Sequence, residues 1–245
     1  GFGGAFISLA LSKFMAKRGM GVQMITTPGN AQERWLVDTV HRQAKKVGIE
    51  APEVGIFQQP QPNAFATGMT RNRSLVAVST GLLNTMSQAE VEAVLGHEVA
   101  HVANGDMITM ALLQGLLNTF VIFLSRLAGF FVDKVILKNQ RGLGMGYFIT
   151  SIIAQIFLSC IATVIALWFS RRREFRADEG GARLAGKQNM INALKKLQQV
   201  QAPQDLPGEF AAFGISGSRR GISQLFLSHP PLEQRIETLQ RAQIL

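Results

Sequence analysis

The segment His97–His101 reads HEVAH and places two histidines four residues apart, with a glutamate directly after the first. On an α-helix, residues at this spacing project from the same face, so both imidazoles reach one metal ion. Imidazole nitrogen is a favoured zinc ligand, and zinc lowers the pKa of its water to about 7. Glu98 lies at the same end of such a site, where its carboxylate takes a proton from that water. The spacing predicts a zinc site with His97 and His101 as ligands and Glu98 as general base.

The sequence around HEVAH favours a buried helix. Ser87, followed three residues later by Glu90, matches a capping box and predicts a helix start. The side chains around the motif, from Val94 to Ala103, are small or apolar. Histidines in such a helix need a partner. The alternative is a pair of core histidines that satisfy each other without a metal.

A catalytic zinc also needs a third protein ligand and an open fourth position. The downstream candidates are Glu174, Glu179, Glu209, His229, Glu233 and Glu237, with Asp106, Asp133, Asp178 and Asp205 as second choices. The segment EFRAD favours Glu174, because Asp178 follows four residues later on the same helical face. That aspartate is placed to accept the free ring N–H of a zinc-bound histidine and so to orient the ligand. The alternative is that both carboxylates only form ion pairs with the neighbouring arginines.

Two uncharged apolar segments lie between HEVAH and EFRAD. Residues 107–125 and 147–169 contain no charged side chain, and each has the length of a membrane helix. Aromatic residues at both ends of the second segment are typical of membrane interfaces. Charged residues make up 17% of the chain, against about 25% in soluble domains. We therefore predict a transmembrane hairpin over residues 107–169, with spans at about 107–126 and 147–169; a pair of buried core helices is the alternative.

The polar segments on either side are predicted to form one catalytic domain in two parts, residues 19–106 and 170–245. Hydrophobic periodicity predicts helices over 30–47, 187–200 and 231–242, and strands over 53–58, 63–68 and 74–79. The fold class is therefore α+β: a mostly helical domain with a small β-sheet, interrupted by a transmembrane hairpin. Residues 202–224 are predicted to be a loop, and whether it is a lid stays open. Residues 1–18 are interpreted as the end of a transmembrane helix that begins upstream.

The charge pattern bears on partners and topology. The chain has 25 Lys+Arg and 16 Asp+Glu, a net charge of +9. This excess suits a protein that lies against an anionic lipid bilayer, and no aromatic-interleaved basic motif supports nucleic acid as a partner. Basic clusters at residues 13–18 and 171–176 place both ends of the hairpin in the cytoplasm by the positive-inside rule. The short loop between the spans is also basic, which weakens this assignment.

Four segments together resemble the HtpX-type membrane zinc metalloproteases, relatives of the CAAX prenyl proteases: HEVAH, EFRAD, NAFATG (63–68) and SHPPLEQRI (228–236). The likeness covers essentially the whole chain. It implies a gluzincin fold with one Zn²⁺ held by His97, His101 and Glu174, and Glu98 as the general base. It further implies proteolysis of membrane and misfolded proteins in stress-related quality control, at the bacterial inner membrane.

The resemblance also suggests residues that contact the substrate. It implies that His229 helps to stabilise the oxyanion of the reaction. A histidine that merely precedes a proline-initiated helix is the alternative. Asn63, Ala64 and Phe65 are expected to bind the substrate backbone, because a strand there can pair with an extended peptide.

These patterns predict a membrane-bound zinc metalloendopeptidase that acts on membrane or unfolded proteins. His101 lies six residues before the first span and Glu174 five residues after the second, so the zinc is expected close to the membrane surface. The alternative is a non-catalytic membrane scaffold or metal-binding module. Glu98 argues against that alternative, because metal binding alone needs no base.

Overall fold

The computed structural model describes residues 2–201 and 230–243. Its helices are α1 (Phe2–Gly19), α2 (Ala31–Lys46), α3 (Thr80–Thr85), α4 (Gln88–Asn104), α5 (Asp106–Phe131), α6 (Met145–Ala185), α7 (Lys187–Gln201) and α8 (Leu232–Arg241). Its strands are β1 (Gln23–Met24), β2 (Glu53–Phe57), β3 (Ala64–Gly68) and β4 (Ser74–Ser79). The three predicted amphipathic helices and three predicted strands lie within one residue of their expected ends. The short elements β1 and α3 were not predicted, and the loop at 202–224 lies outside the described residues.

The four strands form one mixed sheet in the order β1-β2-β4-β3. β2 and β4 are parallel, whereas β3 runs antiparallel to β4. Ser79 N donates to the Asn63 carbonyl (2.8 Å), and Asn63 N donates to Ser79 Oγ (2.9 Å), so the backbone of Asn63 faces β4. Because backbone groups alternate along a strand, those of Ala64 point to the opposite edge. Within the described residues, no strand occupies that edge of β3.

Helix α4 lies at the centre of the part of the chain that contains the sheet. It contacts α2, α6, α7 and the sheet, and most of its side chains are buried. The core around it is apolar and includes Leu36, Val40, Val54, Val76, Val78, Leu95, Val99, Leu194 and Leu239. The predicted capping box is confirmed: Glu90 N donates to Ser87 Oγ, and Ser87 N donates to Glu90 Oε2 (2.8 Å). The helix that carries HEVAH therefore starts at a defined residue and is held on several sides.

Helices α5 and α6 pack against each other as an antiparallel hairpin. Both are long and apolar enough to cross a membrane, and in their most apolar 18-residue stretches only 11% and 6% of the residues are buried. Large apolar side chains such as Phe123, Ile153 and Phe157 are exposed along their length. A surface of this kind suits contact with lipid rather than with water. The exposure disfavours the alternative of buried core helices.

The helical boundaries of the hairpin differ from the predicted spans. α5 continues past Arg126 to Phe131 and then through a π-helical turn, Val132–Ile136. α6 is one unbroken helix that contains both the second apolar segment and EFRAD. Charge marks where an apolar run ends, but the backbone hydrogen bonds of a helix continue through charged residues. The second apolar segment and the predicted third ligand therefore share one rigid element.

The far end of the hairpin is closed by a buried aspartate. Asp133 is 1% exposed, and its carboxylate accepts hydrogen bonds from Gly144 N (3.1 Å) and Asn139 Nδ2 (3.1 Å). Lys134 donates to the carbonyls of Asn139 and Gly142. The basic residue Lys134 of this loop thus has a structural partner within the loop itself.

Candidate active site

The structure brings the three predicted metal ligands together. His97 Nε2 and His101 Nε2, both on α4, are 3.1 Å apart. Glu174, on α6, lies with Oε2 3.6 Å from His97 Nε2 and Oε1 3.4 Å from His101 Nε2. All three potential ligand atoms lie within 4.8 Å of one another, and Glu174 is 2% exposed. Two imidazoles and one carboxylate thus converge on one point.

Close contact between the α4 and α6 backbones makes this convergence possible. A Cβ atom on Gly96 would lie 3.2 Å from the Cα of Gly181, and one on Gly181 would lie 3.0 Å from the backbone nitrogen of His97. The contact brings two helix backbones nearer than side chains would allow. Glu174 and Asp178, which precede Gly181 on the same helix, consequently reach the two histidines.

The donor set fits a zinc ion. Two nitrogens that each lie about 2.0–2.1 Å from a tetrahedral zinc are separated by about 3.3 Å. The observed Nε2–Nε2 distance of 3.1 Å is close to this value. Each histidine uses Nδ1 for a carboxylate, which leaves Nε2 for a metal. Two histidines and one glutamate also match the ligand set of catalytic zinc sites with an open fourth position.

The ring of His97 is held by a buried ion-pair network. Its Nδ1 lies 2.9 Å from Asp178 Oδ1, and Arg235 Nε donates to Asp178 Oδ2 at 2.7 Å. Arg235 Nη1 also lies 3.6 Å from Glu174 Oε2. Burial raises the pKa of Asp178, but hydrogen bonds from Arg235 and His97 outweigh it and hold that pKa below its ordinary value. The Asp178 carboxylate therefore stays charged and faces the imidazole of His97.

The ring of His101 is held by a different carboxylate. His101 Nδ1 lies 2.6 Å from Asp106 Oδ2, and Asp106 is 5% exposed at the first position of α5. Burial lowers the pKa of His101, but the hydrogen bonds to Asp106 and Glu174 outweigh it and raise the pKa to about 9. Burial likewise lowers the pKa of His97, and hydrogen bonds to Asp178 and Glu174 raise it above the ordinary value. The carboxylates make the site complementary to a cation.

A cavity of about 430 Å³ adjoins the three ligands. Half-buried Glu98 lies on its wall with His97 and Glu174, and Asn63 and Ala64 also line it. Glu98, the predicted general base, thus shares a space with the ligand cluster and the edge strand. This space is large enough to hold several atoms of a peptide backbone.

The remaining predicted substrate residues differ in their surroundings. The Asn63 side chain donates from Nδ2 to Gln59 Oε1 at 3.2 Å. The ring of Phe65 packs against Phe57 with 5.4 Å between centroids, so the structure does not bring it to the cavity wall. His229 lies outside the described residues.

Sequence reasoning missed two charged residues of the site. Asp106 was a second choice for the third ligand, whereas the structure places it on the outer nitrogen of His101. Arg235, in SHPPLEQRI, was given no role, although it is 7% exposed and lines the cavity. The sequence showed only that Arg235 lies in a predicted amphipathic helix. That is weak evidence for a role in the site, because most arginines are exposed.

The mostly helical domain, the His/Glu cluster and the two exposed apolar helices define a class: metallopeptidases associated with membranes. The sequence matches the model of peptidase family M48 over residues 30–243, and the chain belongs to this family.

Individual relatives agree with that assignment. The chain is 60% identical over 244 residues to Protease HtpX of Thioalkalivibrio sulfidiphilus, covering 99% of this chain and 83% of the relative. It is 58% identical over 242 residues to a Protease HtpX homolog of Nitrosomonas europaea, again covering 99% and 83%. The crystal structure of S. mikatae Ste24p has a similar fold, with a TM-score of 0.61 at 20% identity over 97% of this chain and 58% of that one. The predicted resemblance to HtpX-type proteases and the predicted fold class are both confirmed.

Proposed function

We propose that the chain is a zinc-dependent endopeptidase (EC 3.4.24 type) of the bacterial inner membrane that degrades misfolded or damaged membrane proteins. The observation that carries this proposal is the convergence of His97, His101 and Glu174 beside Glu98 in one cavity. A zinc ion held by these three side chains would supply Lewis acidity, which acidifies water and polarises the scissile carbonyl.

The polar side chains of α4 have different roles in the proposed reaction. Glu98 accepts a proton from the attacking water and delivers it to the departing amine nitrogen, so that one proton is taken up and returned in each cycle. His97 and His101 would hold the metal through Nε2, because Asp178 and Asp106 occupy their Nδ1 positions. Glu98 acts only on water placed between its carboxylate and the metal ligands.

The edge of β3 binds the substrate backbone. The backbone groups of Ala64 point away from β4 towards the open edge, where an extended peptide adds as a further strand. Asn63 lines the cavity beside Ala64 and borders the bound peptide, whereas the Phe65 ring packs on Phe57 and contributes through its backbone. We assign oxyanion stabilisation to His229, which directly precedes Pro230 on the cavity wall.

The site is placed for substrates that emerge from the membrane. α5 begins at Asp106, and α6 carries Glu174 four residues after Ser170, at the end of its apolar segment. With both ends of the hairpin in the cytoplasm, the catalytic domain meets cytoplasmic loops close to the bilayer. We expect one cleavable sequence to be cut faster in a juxtamembrane loop than in a soluble carrier protein. Equal rates in the two contexts would refute this preference.

Two substitutions test the catalytic assignment. Glu98→Gln is expected to retain one zinc per chain and to abolish cleavage of an unfolded model protein, because the base is lost while the ligands remain. Glu174→Ala is expected to lose both zinc and cleavage. Glu179→Gln is the matched control, since Glu179 lies on the same helix and pairs with Arg183 in solvent. It should change neither quantity.

Metal analysis and the cleavage assay are run on the same samples. Cleavage by Glu98→Gln at the rate of the unsubstituted chain would refute the proposed mechanism. Zinc binding without any cleavage by the unsubstituted chain would support the scaffold alternative instead.

A further inference from the structure

We propose that Asp106 is a positioning residue that orients His101 for zinc, so that the membrane hairpin itself forms part of the metal site. This rests on the zinc site of the proposed function. The Asp106 carboxylate lies 2.6 Å from His101 Nδ1 and is 5% exposed. A buried carboxylate at this distance holds the proton on Nδ1 and leaves the Nε2 lone pair for a metal.

The junction between α4 and α5 turns Asp106 back towards His101. α4 ends at Asn104, and Gly105 adopts a left-handed conformation with φ of 71°. Gly105 N donates to the Val102 carbonyl (3.0 Å), and Thr109 N donates to the Gly105 carbonyl (3.1 Å). A single residue thus separates the two helices, and the first residue of the apolar helix is fixed against the last turn of the HEVAH helix.

Arg71 supports this junction from the β3–β4 turn. Its Nη2 donates to the Asn104 carbonyl at 3.4 Å, and a Cβ atom on Gly105 would lie 3.1 Å from Arg71 Nε. The left-handed φ of 71° favours glycine at position 105. The direction of α5, and with it the place of the Asp106 carboxylate, is set by contacts with the catalytic domain.

A plainer explanation of Asp106 is that an acidic residue in the first turn stabilises a helix N-terminus. Such a residue does this equally well from an exposed position. Here the carboxylate is buried, and within the described residues His101 is its hydrogen-bonding partner. The geometry points to orientation of the imidazole, with the helix dipole as a secondary benefit.

The hairpin helices therefore supply side chains of the metal site in addition to anchoring the protein. Glu174 and Asp178 lie on α6, and Asp106 begins α5, so three of the carboxylates around the two histidines belong to the helices of the hairpin. Only the histidines and Glu98 come from α4. A displacement of α5 relative to α4 would move the Asp106 carboxylate away from His101.

The test uses the full chain in lipid nanodiscs and measures zinc affinity by competition with a chelator. Asp106→Asn is expected to lower zinc affinity by about 10- to 100-fold, because the isosteric amide lacks the charge that strengthens the imidazole ligand. The thermal midpoint of the metal-free protein is also expected to fall, because the buried Asp106–His101 pair is lost. At saturating zinc, kcat should recover towards the unsubstituted value.

Asp133→Asn is the matched control at the opposite end of the hairpin. Asp133 is also a buried aspartate, but it accepts hydrogen bonds from Gly144 and Asn139 and not from the site. This variant should lower the thermal midpoint and leave zinc affinity unchanged. Because both variants lower the thermal midpoint, a loss of zinc affinity in Asp106→Asn alone separates a positioning role from a contribution to folding.

Two results would overturn the inference. Unchanged zinc affinity in Asp106→Asn would show that the carboxylate does not orient His101, while the proposed function would stand. An equal loss of zinc affinity in both variants would assign the effect to hairpin folding. If the unsubstituted chain bound no zinc at all, the proposed function would fail together with this inference.

Discussion

The two histidines of the site have unlike supports. The His97 arm consists of His97, Asp178 and Arg235, which come from α4, α6 and α8 and form a buried ion-pair network. The His101 arm consists of His101 and Asp106, which lie five residues apart on either side of one glycine. Both arms present Nε2 to the same point. The same donor geometry therefore arises once from long-range packing and once from a local junction.

The difference lies in how charge is compensated. In the His97 arm, the Arg235 guanidinium balances the Asp178 carboxylate and lies near Glu174. In the His101 arm, the imidazole itself balances the Asp106 carboxylate. Hydrogen bonds to Asp106 and Glu174 outweigh the effect of burial and raise the pKa of His101 to about 9. The His97 arm thus depends on a fixed cation, and the His101 arm depends on a proton or a metal. Four measurements test how the two arms support the site.

The largest effect is expected from Arg235→Met. This change leaves the buried Asp178 without the Arg235 cation, and removing one partner of a buried pair costs about 3–5 kcal/mol of unfolding free energy. Denaturant unfolding of the metal-free protein measures the loss. Arg241→Met, which breaks an exposed pair with Glu237 on the same helix, should have little effect. Equal losses in the two variants would contradict the role given to the His97 arm.

Metal removal is expected to cost more stability as the pH rises. With free zinc at a hundredfold excess over Kd, binding contributes about 2.7 kcal/mol. In the metal-free protein the pKa of His101 is about 9 in the folded state, against a reference of 6.5. The proton-linked stability is thus complete below pH 6.5 and is lost as the pH rises towards 9. Zinc competes with the proton on His101, so the stability that zinc binding adds increases as the pH rises.

Thermal midpoints with zinc and with a chelator, compared from pH 6.5 to 8.5, check this. The gap between the two midpoints should widen steadily with pH. A constant or shrinking gap would mean that protons and metal do not share the Nε2 positions.

A smaller effect is expected from Gly181→Ala. The added methyl group would lie 3.0 Å from His97 N and 3.1 Å from the Ala93 carbonyl oxygen, so the two helix backbones must separate. Overpacking of this kind costs about 1–3 kcal/mol, and it should weaken zinc binding through the His97 arm. Gly19→Ala is the control, because no atom lies within 4 Å of that position. Unchanged zinc affinity in Gly181→Ala would show that the glycine contact does not set the ligand geometry.

The smallest effect is expected from Ser87→Ala. Loss of the N-cap hydroxyl at the start of α4 costs about 1 kcal/mol, and Ser87→Thr should recover most of it. Both arms are attached to α4 more than two turns further on, so zinc affinity should be preserved. A marked loss of zinc in Ser87→Ala would mean that the helix start, and not the arms, controls the site.

Much of the fold was predictable because its signals are local. The apolar periodicity of α2, α7 and α8 and the alternation of β2, β3 and β4 depend on neighbouring residues, and these elements were placed within one residue of their ends. β1 was missed because two residues, Gln23 and Met24, carry no periodicity. The first apolar helix continues past the predicted span because Arg126 interrupts its composition and not its backbone hydrogen bonding.

The sequence by itself indicated the chemistry: HEVAH sets two imidazoles on one helical face with a glutamate next to the first, and the long apolar segments set the environment. Both follow from spacing within a few helical turns. Only the tertiary structure decided which distant charges complete the site. Arg235 meets Asp178 across 57 residues of sequence, and Asp106 turns from a candidate ligand into the support of His101. Such contacts depend on how helices pack and on where backbones approach closely, and no local pattern in the chain encodes that.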